Sequence, residues 1–370
     1  MAHFQRGRYC NNRRRDSANS SLQEGTRHSG QGGRKLMEAV RMPSRTVVAV
    51  GGNSLISSGT NNGNLDTHEL ARQVCEELAT VARFRGGVVI THGNGPQVGF
   101  ELLRNALAAE SVPPDGMDVN VAATQGYIGY FLQQVLGDVL EERGIDIPVT
   151  ALITQVLVAP DDPAFHNPSK PVGPFYEKTE ADEISKLYGW MMKEDAGRGW
   201  RRVVPSPKPR RILELESIRT LVNAGQIVIC AGGGGVPVVR EGYKVRGVPA
   251  VIDKDHVSAL LATRLEADTY VISTAVPHVF VNFGKPDQRP VHKATLEEME
   301  HYMRQGEFAE GSMLPKIRAS IGSLKHGGKR VVITSPGNIL QALDGKAGTT
   351  ILHKGDGVEE PIPLSEQSAE

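Results

Sequence analysis

The 370 residues carry 42 Lys/Arg against 42 Asp/Glu, so net charge gives no hint of nucleic acid as a partner. No apolar run approaches the roughly 18 residues that a membrane span needs, and nothing in the sequence reads as crossing a bilayer. Cys10, Cys75 and Cys230 are odd in number and far apart, which argues against a metal or disulfide framework and fits a reducing, cytoplasmic compartment.

Residues 1–44 are polar and without hydrophobic period, and read as a disordered basic extension. Ten Lys/Arg against three Asp/Glu give residues 1–45 a net charge of +7. That bias suits a transit peptide, but Asp16, Glu24 and Glu38 interrupt it and no amphipathic helix is evident. Met37 and Met42 are alternative starting points.

From Arg45 the pattern is regular. Thr46–Val50 reads as a strand running into Gly51-Gly52-Asn53, where the backbone could approach a ligand with no side chain in the way, although a lone Gly-Gly is more often a tight turn. A helix then opens on Asp66-Thr-His-Glu69, a capping-box-like pattern, with an apolar stripe of Leu70, Val74, Leu78 and Val81. Gly86-Gly87 stops it, and the strand Val88–Thr91 completes a βαβ unit with a right-handed crossover.

That strand leads into His92-Gly-Asn-Gly-Pro-Gln-Val-Gly99 and a helix over Phe100–Ala109. A glycine-rich turn between strand and helix leaves backbone N–H groups free to hold an anion, which marks Gly93, Asn94 and Gly95. Asn94 suits either its own turn or a substrate. His92 has no Asp or Glu partner at nearby spacing, so a turn-stabilising role is favoured over a general base. Thr124-Gln-Gly126 reads as the start of another helix, Tyr127–Leu140, and as a third ligand-facing helix terminus. A strand is expected over Val149–Thr154.

Residues 159–210 break the rhythm. Pro163, Pro168, Pro171 and Pro174 preclude a regular helix among them, while Trp190 and Trp200 supply aromatics to pack, so the segment reads as a protruding subdomain. Lys170 lies between two prolines that stiffen its backbone. The nearby arginines, Arg198, Arg201 and Arg202, read as an exposed, salt-bridged face.

Beyond it, the strand Ile227–Cys230 ends in a run of four glycines, whose cost in folding entropy suggests close backbone approach. Cys75 and Cys230 read as small core residues rather than nucleophiles. Val251-Ile-Asp-Lys-Asp-His256 puts charged residues at a helix start, where Asp253 and Lys254 form either an ordinary cap and salt bridge or a pair aimed at phosphate. Gly311-Ser-Met-Leu-Pro-Lys316 repeats the theme, and Thr269–Ser273 and Arg330–Thr334 complete the strands. There is no Walker A loop, no dinucleotide fingerprint and no Ser-His-Asp pattern. Glycine-lined strand ends with Lys170, Lys254 and Lys316 fit phosphoryl transfer, which needs positioning and charge neutralisation more than covalent chemistry.

These strings resemble the carbamate kinases of the amino-acid kinase family. The matching motifs include Val-Gly-Gly-Asn53, His92–Gly99, Asn167-Pro-Ser-Lys-Pro-Val-Gly-Pro-Phe175, Val251-Ile-Asp-Lys-Asp255, Asn282-Phe-Gly-Lys-Pro286 and Gly311–Lys316, in order over residues 45–353. The resemblance implies a three-layer αβα sandwich on an open, mainly parallel sheet of about eight strands, and a homodimer. It implies reversible transfer between ATP and carbamate with Mg²⁺, giving carbamoyl phosphate and ADP and running toward ATP in arginine deiminase-type fermentation. Residues 45–225 would form an acceptor lobe, with carbamate near Gly51–Asn53 and Gly93–Gly95. Residues 226–354 would form a nucleotide lobe with Gly233, Gly234, Met313 and Lys316, followed by a polar tail over 355–370. Lys170 and Lys254 would neutralise the transferring group, Asp253 would orient lysine, and no protein side chains are assigned to a metal. The pattern departs from the family at Ser54, where Ala is usual, and at Pro277, where Asp is common. Alternatives are another amino-acid kinase acting on an acylated amino acid, or a regulatory binding protein of the same fold.

Overall fold

The first strand, β1 (Arg45–Val50), is a β-branched run buried from Thr46 onward, as a strand covered on both faces must be. The chain is described in a computed structural model over residues 44–51, 65–195 and 197–353. It continues through α1 (Leu65–Arg85), β2 (Gly87–His92), α2 (Gly95–Ala108) and α3 (Met117–Glu142). Then come β3 (Val149–Ala151), β4 (Gln155–Leu157), β5 (Lys170–Tyr176), α4 (Lys178–Tyr188), β6 (Met192–Glu194), β7 (Trp200–Val204) and β8 (Arg211–Ile212). α5 (Leu215–Asn223), β9 (Ile227–Ile229), β10 (Val236–Glu241), β11 (Lys244–Gly247), α6 (Lys254–Arg264) and β12 (Thr269–Ser273) follow. The last described elements are β13 (Val279–Val281), β14 (Arg289–Val291), β15 (Lys293–Thr295), α7 (Leu296–Arg304), α8 (Met313–Lys325), β16 (Arg330–Thr334), α9 (Ile339–Leu343) and β17 (Thr349–Leu352).

Eight strands form one sheet in the order β15-β17-β16-β12-β1-β2-β9-β3, and only the β16/β17 pair is antiparallel. Alternation along β1 splits the core into two layers. Val47 and Ala49 pack with residues of α5, α6, α7 and α8, while Val48 and Val50 pack with residues of α1, α3 and α9. The expected mainly parallel α/β sheet is therefore what forms. Cys75 and Cys230 lie in these layers, and burial pushes the Cys75 thiol up to about 12, far from reactive thiolate.

A second sheet, β11-β10-β4-β8, carries the neck of an excursion. The antiparallel pairing of Val156 with Ile212 brings the two ends of the intervening chain together. Between them stand a three-stranded sheet, β5-β7-β6, and α4. Within it Arg202 lies 4.0 Å above the Trp190 ring and Lys178 lies 4.2 Å above that of Trp200. The excursion seats itself on α2 at a pair of glycines: a Cβ on Gly99 would fall 2.0 Å from Gly173 Cα. Val98, Leu102, Val172, Val204, Val236 and Val251 form a separate core beneath this contact.

Several boundaries differ from the sequence reading. α2 begins at Gly95, not Phe100, because Pro96 is suited to a first helical turn, where its missing N–H has no intrahelical partner to lose. Thr124–Gly126 is no helix start: α3 begins at Met117, and Gly129 lies within it where Ala151 packs closely. The strand expected over Val149–Thr154 stops at Ala151 as β3, with β4 starting only at Gln155 in the second sheet, and α1 already includes Leu65, placing Asp66 inside the helix. The basic extension and the polar tail lie outside the described residues, as do Gly52 and Asn53. Among the described residues, no helix is long and apolar enough to cross a membrane.

Candidate active site

Strand order reverses at β1: the chain steps to β2 on one side and later returns as β12 on the other. Open α/β sheets bind ligands outside the carboxyl ends of strands at such a point. Gly51 follows β1 there, and Gly93 N donates to Val50 O at 3.2 Å, tying the end of β2 alongside. The N-terminus of α2 opens at Gly95 one residue after Asn94, whose Nδ2 donates to Thr124 Oγ1 at 2.9 Å. Asn94 is thus held by a neighbouring helix rather than by its own turn.

The four-glycine loop closes over these residues. Gly233, Gly234 and Gly235 all have positive φ, between 61° and 86°, which glycine adopts without strain. A Cβ on Gly232 would stand 2.3 Å from His92 Nε2, one on Gly233 2.1 Å from Asn94 Nδ2, and one on Gly234 2.4 Å from Ile252 O. Gly233 and Gly234, expected at the nucleotide, are buried against protein atoms and press the His92–Asn94 turn toward the start of α6.

That start gathers the charges. Asp253 caps α6, its Oδ1 accepting from Asp255 N at 2.9 Å, while its Oδ2 takes Lys170 Nζ at 2.5 Å from 83 residues away. Lys254 Nζ lies 2.6 Å from Asp255 Oδ1, and Lys316 Nζ, from the first turns of α8, lies 3.0 Å from Asp255 Oδ2. Met313 opens that helix one turn earlier. The three expected lysines thus converge through two carboxylates. Asp253 holds Lys170 rather than its neighbour Lys254, and Asp255 bridges the other two. Asp255 was not singled out from the sequence, although the Asp-Lys-Asp spacing at a helix start contains it.

Burial works against these charges, and their partners offset it. Burial pushes both aspartates up, but Lys170 at Asp253, and Lys254 with Lys316 at Asp255, hold the two carboxyls below the usual range. Burial lowers Lys254, which also faces Lys316, whereas Asp255 more than offsets burial at Lys316 and leaves it raised. The helix bearing this cluster is fixed from below: Thr91 Oγ1 and Ser258 Oγ are 2.6 Å apart, and the Tyr270 hydroxyl donates to Asp255 O at 2.9 Å.

A family model described as the amino acid kinase family matches residues 44–335. The carbamate kinase of Pyrococcus horikoshii is 45% identical over 312 residues, covering 84% of this chain and 99% of that protein. The chain belongs to the amino acid kinase family, among its carbamate kinases. A carbamate kinase structure from Giardia lamblia bound to citric acid is 39% identical with a TM-score of 0.79, covering 84% of this chain and 99% of that one. A second Giardia carbamate kinase structure, bound to AMP-PNP, is 40% identical with a TM-score of 0.75 and the same coverage.

His92 now reads as part of the carbamate kinase scaffold. It is 1% exposed, and its Nδ1–H faces Gly93 O at 3.1 Å. Burial, helped by the nearby Lys254 charge, lowers it from 6.5 to about 4, so it is neutral at physiological pH. Unfolded chains bind its proton more readily than the fold does. The stability it confers, about 3 kcal/mol by linkage, is complete above pH 6.5 and is lost as pH falls toward about 4. Unfolding free energies measured from pH 7 to 4 are expected to fall less steeply for His92→Gln than for wild type; parallel curves would rule this out.

Proposed function

We propose that the chain transfers a phosphoryl group reversibly between ATP and carbamate. The observation that carries this is the convergence of Lys170, Lys254 and Lys316 on Asp253 and Asp255 at the switch point of the sheet. A carbamate oxygen forms the new P–O bond as the bond to the β-phosphate oxygen breaks, giving carbamoyl phosphate and ADP. The acceptor is already an anion, so no proton has to be removed, and a buried neutral His92 is no handicap. The charge that must be managed sits on the phosphoryl oxygens, and ammonium groups act there as point charges.

Lys170 enters from the excursion, on the side of Gly51, Gly93, Asn94 and Gly95, which fits the carbamate end; Gly52 and Asn53 belong to the same assignment. Lys254 and Lys316 enter from the nucleotide half, with Met313 beside the phosphates and Gly233 and Gly234 acting through Asn94 and Ile252. Mg²⁺ would ride on the nucleotide and help neutralise its phosphates. Among the described residues no cluster of three or more His, Cys, Asp and Glu could hold a metal, and Mg²⁺ binds readily through phosphate oxygens.

A homodimer completes the reading. The edge strand β3, α3 and the end of β9 line a cavity of about 210 Å³, where Tyr130 and Ile153 expose apolar surface, as Tyr127 does elsewhere on α3. A second copy covering that edge fits the need to protect an unpaired strand. Ultracentrifugation is expected to give twice 40.0 kDa, with Tyr130→Glu shifting the mass toward one chain; a wild-type monomer would contradict this. In the cell the reaction would run toward ATP, as in arginine fermentation of the arginine deiminase type. The deciding assay couples ATP formation from ADP and carbamoyl phosphate with Mg²⁺ to a reporter. Turnover there supports the reading, and none there with activity on N-acetylglutamate sinks it.

A further inference from the structure

Arg201 spans the base of the excursion. Its Nε and Nη2 both donate to Gly173 O, at 3.0 and 2.8 Å, and its Nη1 lies 3.1 Å from Asp195 Oδ2. Asp195 is 6% exposed, and its other oxygen takes Arg198 Nη2 at 3.1 Å. The sequence suggested a solvated, salt-bridged face for these arginines, but the Arg201 side chain is 11% exposed.

The gripped carbonyl sits at an irregular point. β5 and β7 pair in register from Lys170 to Val172, and the register has shifted by Tyr176. Gly173, with φ +79°, lies at the break, three residues from Lys170, and its backbone is the one that touches Gly99 of α2. Asp195 also faces the other half of the molecule: a Cβ on Gly311 would stand 3.8 Å from its Oδ1, in the loop leading to α8 and Lys316.

A buried ion pair is weak evidence of added stability, because desolvation consumes much of its attraction. A guanidinium fork, by contrast, fixes the direction of the oxygen it holds. Here that oxygen belongs to the bulge from which β5 runs back to Lys170. We propose that Arg201, oriented by Asp195, is a positioning residue that sets the angle of β5 and thereby the reach of Lys170 to Asp253 and the transferring phosphoryl group. This rests on the role proposed above for Lys170.

Arg201→Lys keeps a charge beside Asp195 and loses the fork. Its kcat for ATP formation is expected to fall about 10-fold, since small misplacements are costly in catalysis, with the KM for ADP within about twofold of wild type. In a Lys170→Ala background the same substitution should cost nothing further, because the residue it positions is gone. A merely structural role would give the same loss in both backgrounds. That result, or a wild-type kcat for Arg201→Lys, overturns the proposal and leaves the role of Lys170 standing. A wild-type kcat for Lys170→Ala removes both. Should Arg201→Lys fail to fold, Asp195→Asn, which keeps the side-chain shape and removes the orienting charge, goes through the same cycle with the same non-additivity expected.

Discussion

Asp255→Ala is expected to destabilise the protein by about 3–5 kcal/mol and to lower kcat at least about 10²-fold. Asp255 is 3% exposed and its two oxygens hold Lys254 and Lys316. Without it two ammonium groups stand close together, partly desolvated, with only the more distant charge of Asp253 to offset them, and Asp253 is already bonded to Lys170 and to the backbone of its own helix. Repulsion then pushes the lysines apart or strips a proton from one of them, and either outcome spoils the charge available to phosphate. The carboxyl is held below its ordinary 3.8, so its stabilising effect is present above that value and is lost as pH falls through the lowered one. Urea unfolding at pH 7, with the coupled ATP assay, measures both effects. Asp255→Asn separates them: it retains the volume and one acceptor, so more of the fold survives while catalysis does not recover. A variant within about 1 kcal/mol of wild type, well under the cost of an uncompensated buried charge, would show that the two lysines do not depend on Asp255.

The sheet was legible because its strands are short apolar runs, several of them beside glycine, and Thr269–Ser273 and Arg330–Thr334 form at the bounds the pattern gives. The helix starts were less legible. Gly95-Pro96 and Thr124–Gly126 carry turn-like residues, and a single sequence does not show whether such a residue breaks a helix or opens one. Packing decides it: Pro96 sits in the first turn of α2, and Gly129 is where α3 meets Ala151. The lysines were legible by their setting after prolines and at helix starts. Their pairing was not, since Asp253 and Asp255 flank the same lysine. The helix settles it by using one oxygen of Asp253 as a cap, which leaves the other for Lys170 and turns Asp255 inward to Lys316. Arg201 was read as surface because nothing in a sequence reports that a glycine carbonyl at a distant bulge will bury its fork.

Lys170→Ala is expected to behave differently from Asp255→Ala: kcat should fall about 10²–10³-fold, as for loss of one electrostatic stabiliser of a transition state, with a smaller loss of stability. The Lys170 and Asp253 side chains are 27% and 15% exposed, so removing the lysine leaves a carboxylate that water reaches and that still accepts from Asp255 N. The pair is more buried than a surface ion pair, so its loss costs more than such a pair would, but less than the loss of Asp255, whose side chain is 4% exposed. The KM for ADP should stay near wild type, because Lys254 and Lys316, the lysines proposed to serve the nucleotide, bond to Asp255 and not to the Lys170–Asp253 pair. Lys170→Arg should recover only part of the loss, since a planar guanidinium cannot act as a compact charge on one oxygen at the same spot. Steady-state kinetics of ATP formation with urea unfolding of the same variants give the comparison. If Lys170→Ala keeps kcat and instead loses stability or ADP affinity, its ammonium is a strut between the excursion and α6, and the phosphoryl group is served by Lys254 and Lys316 alone.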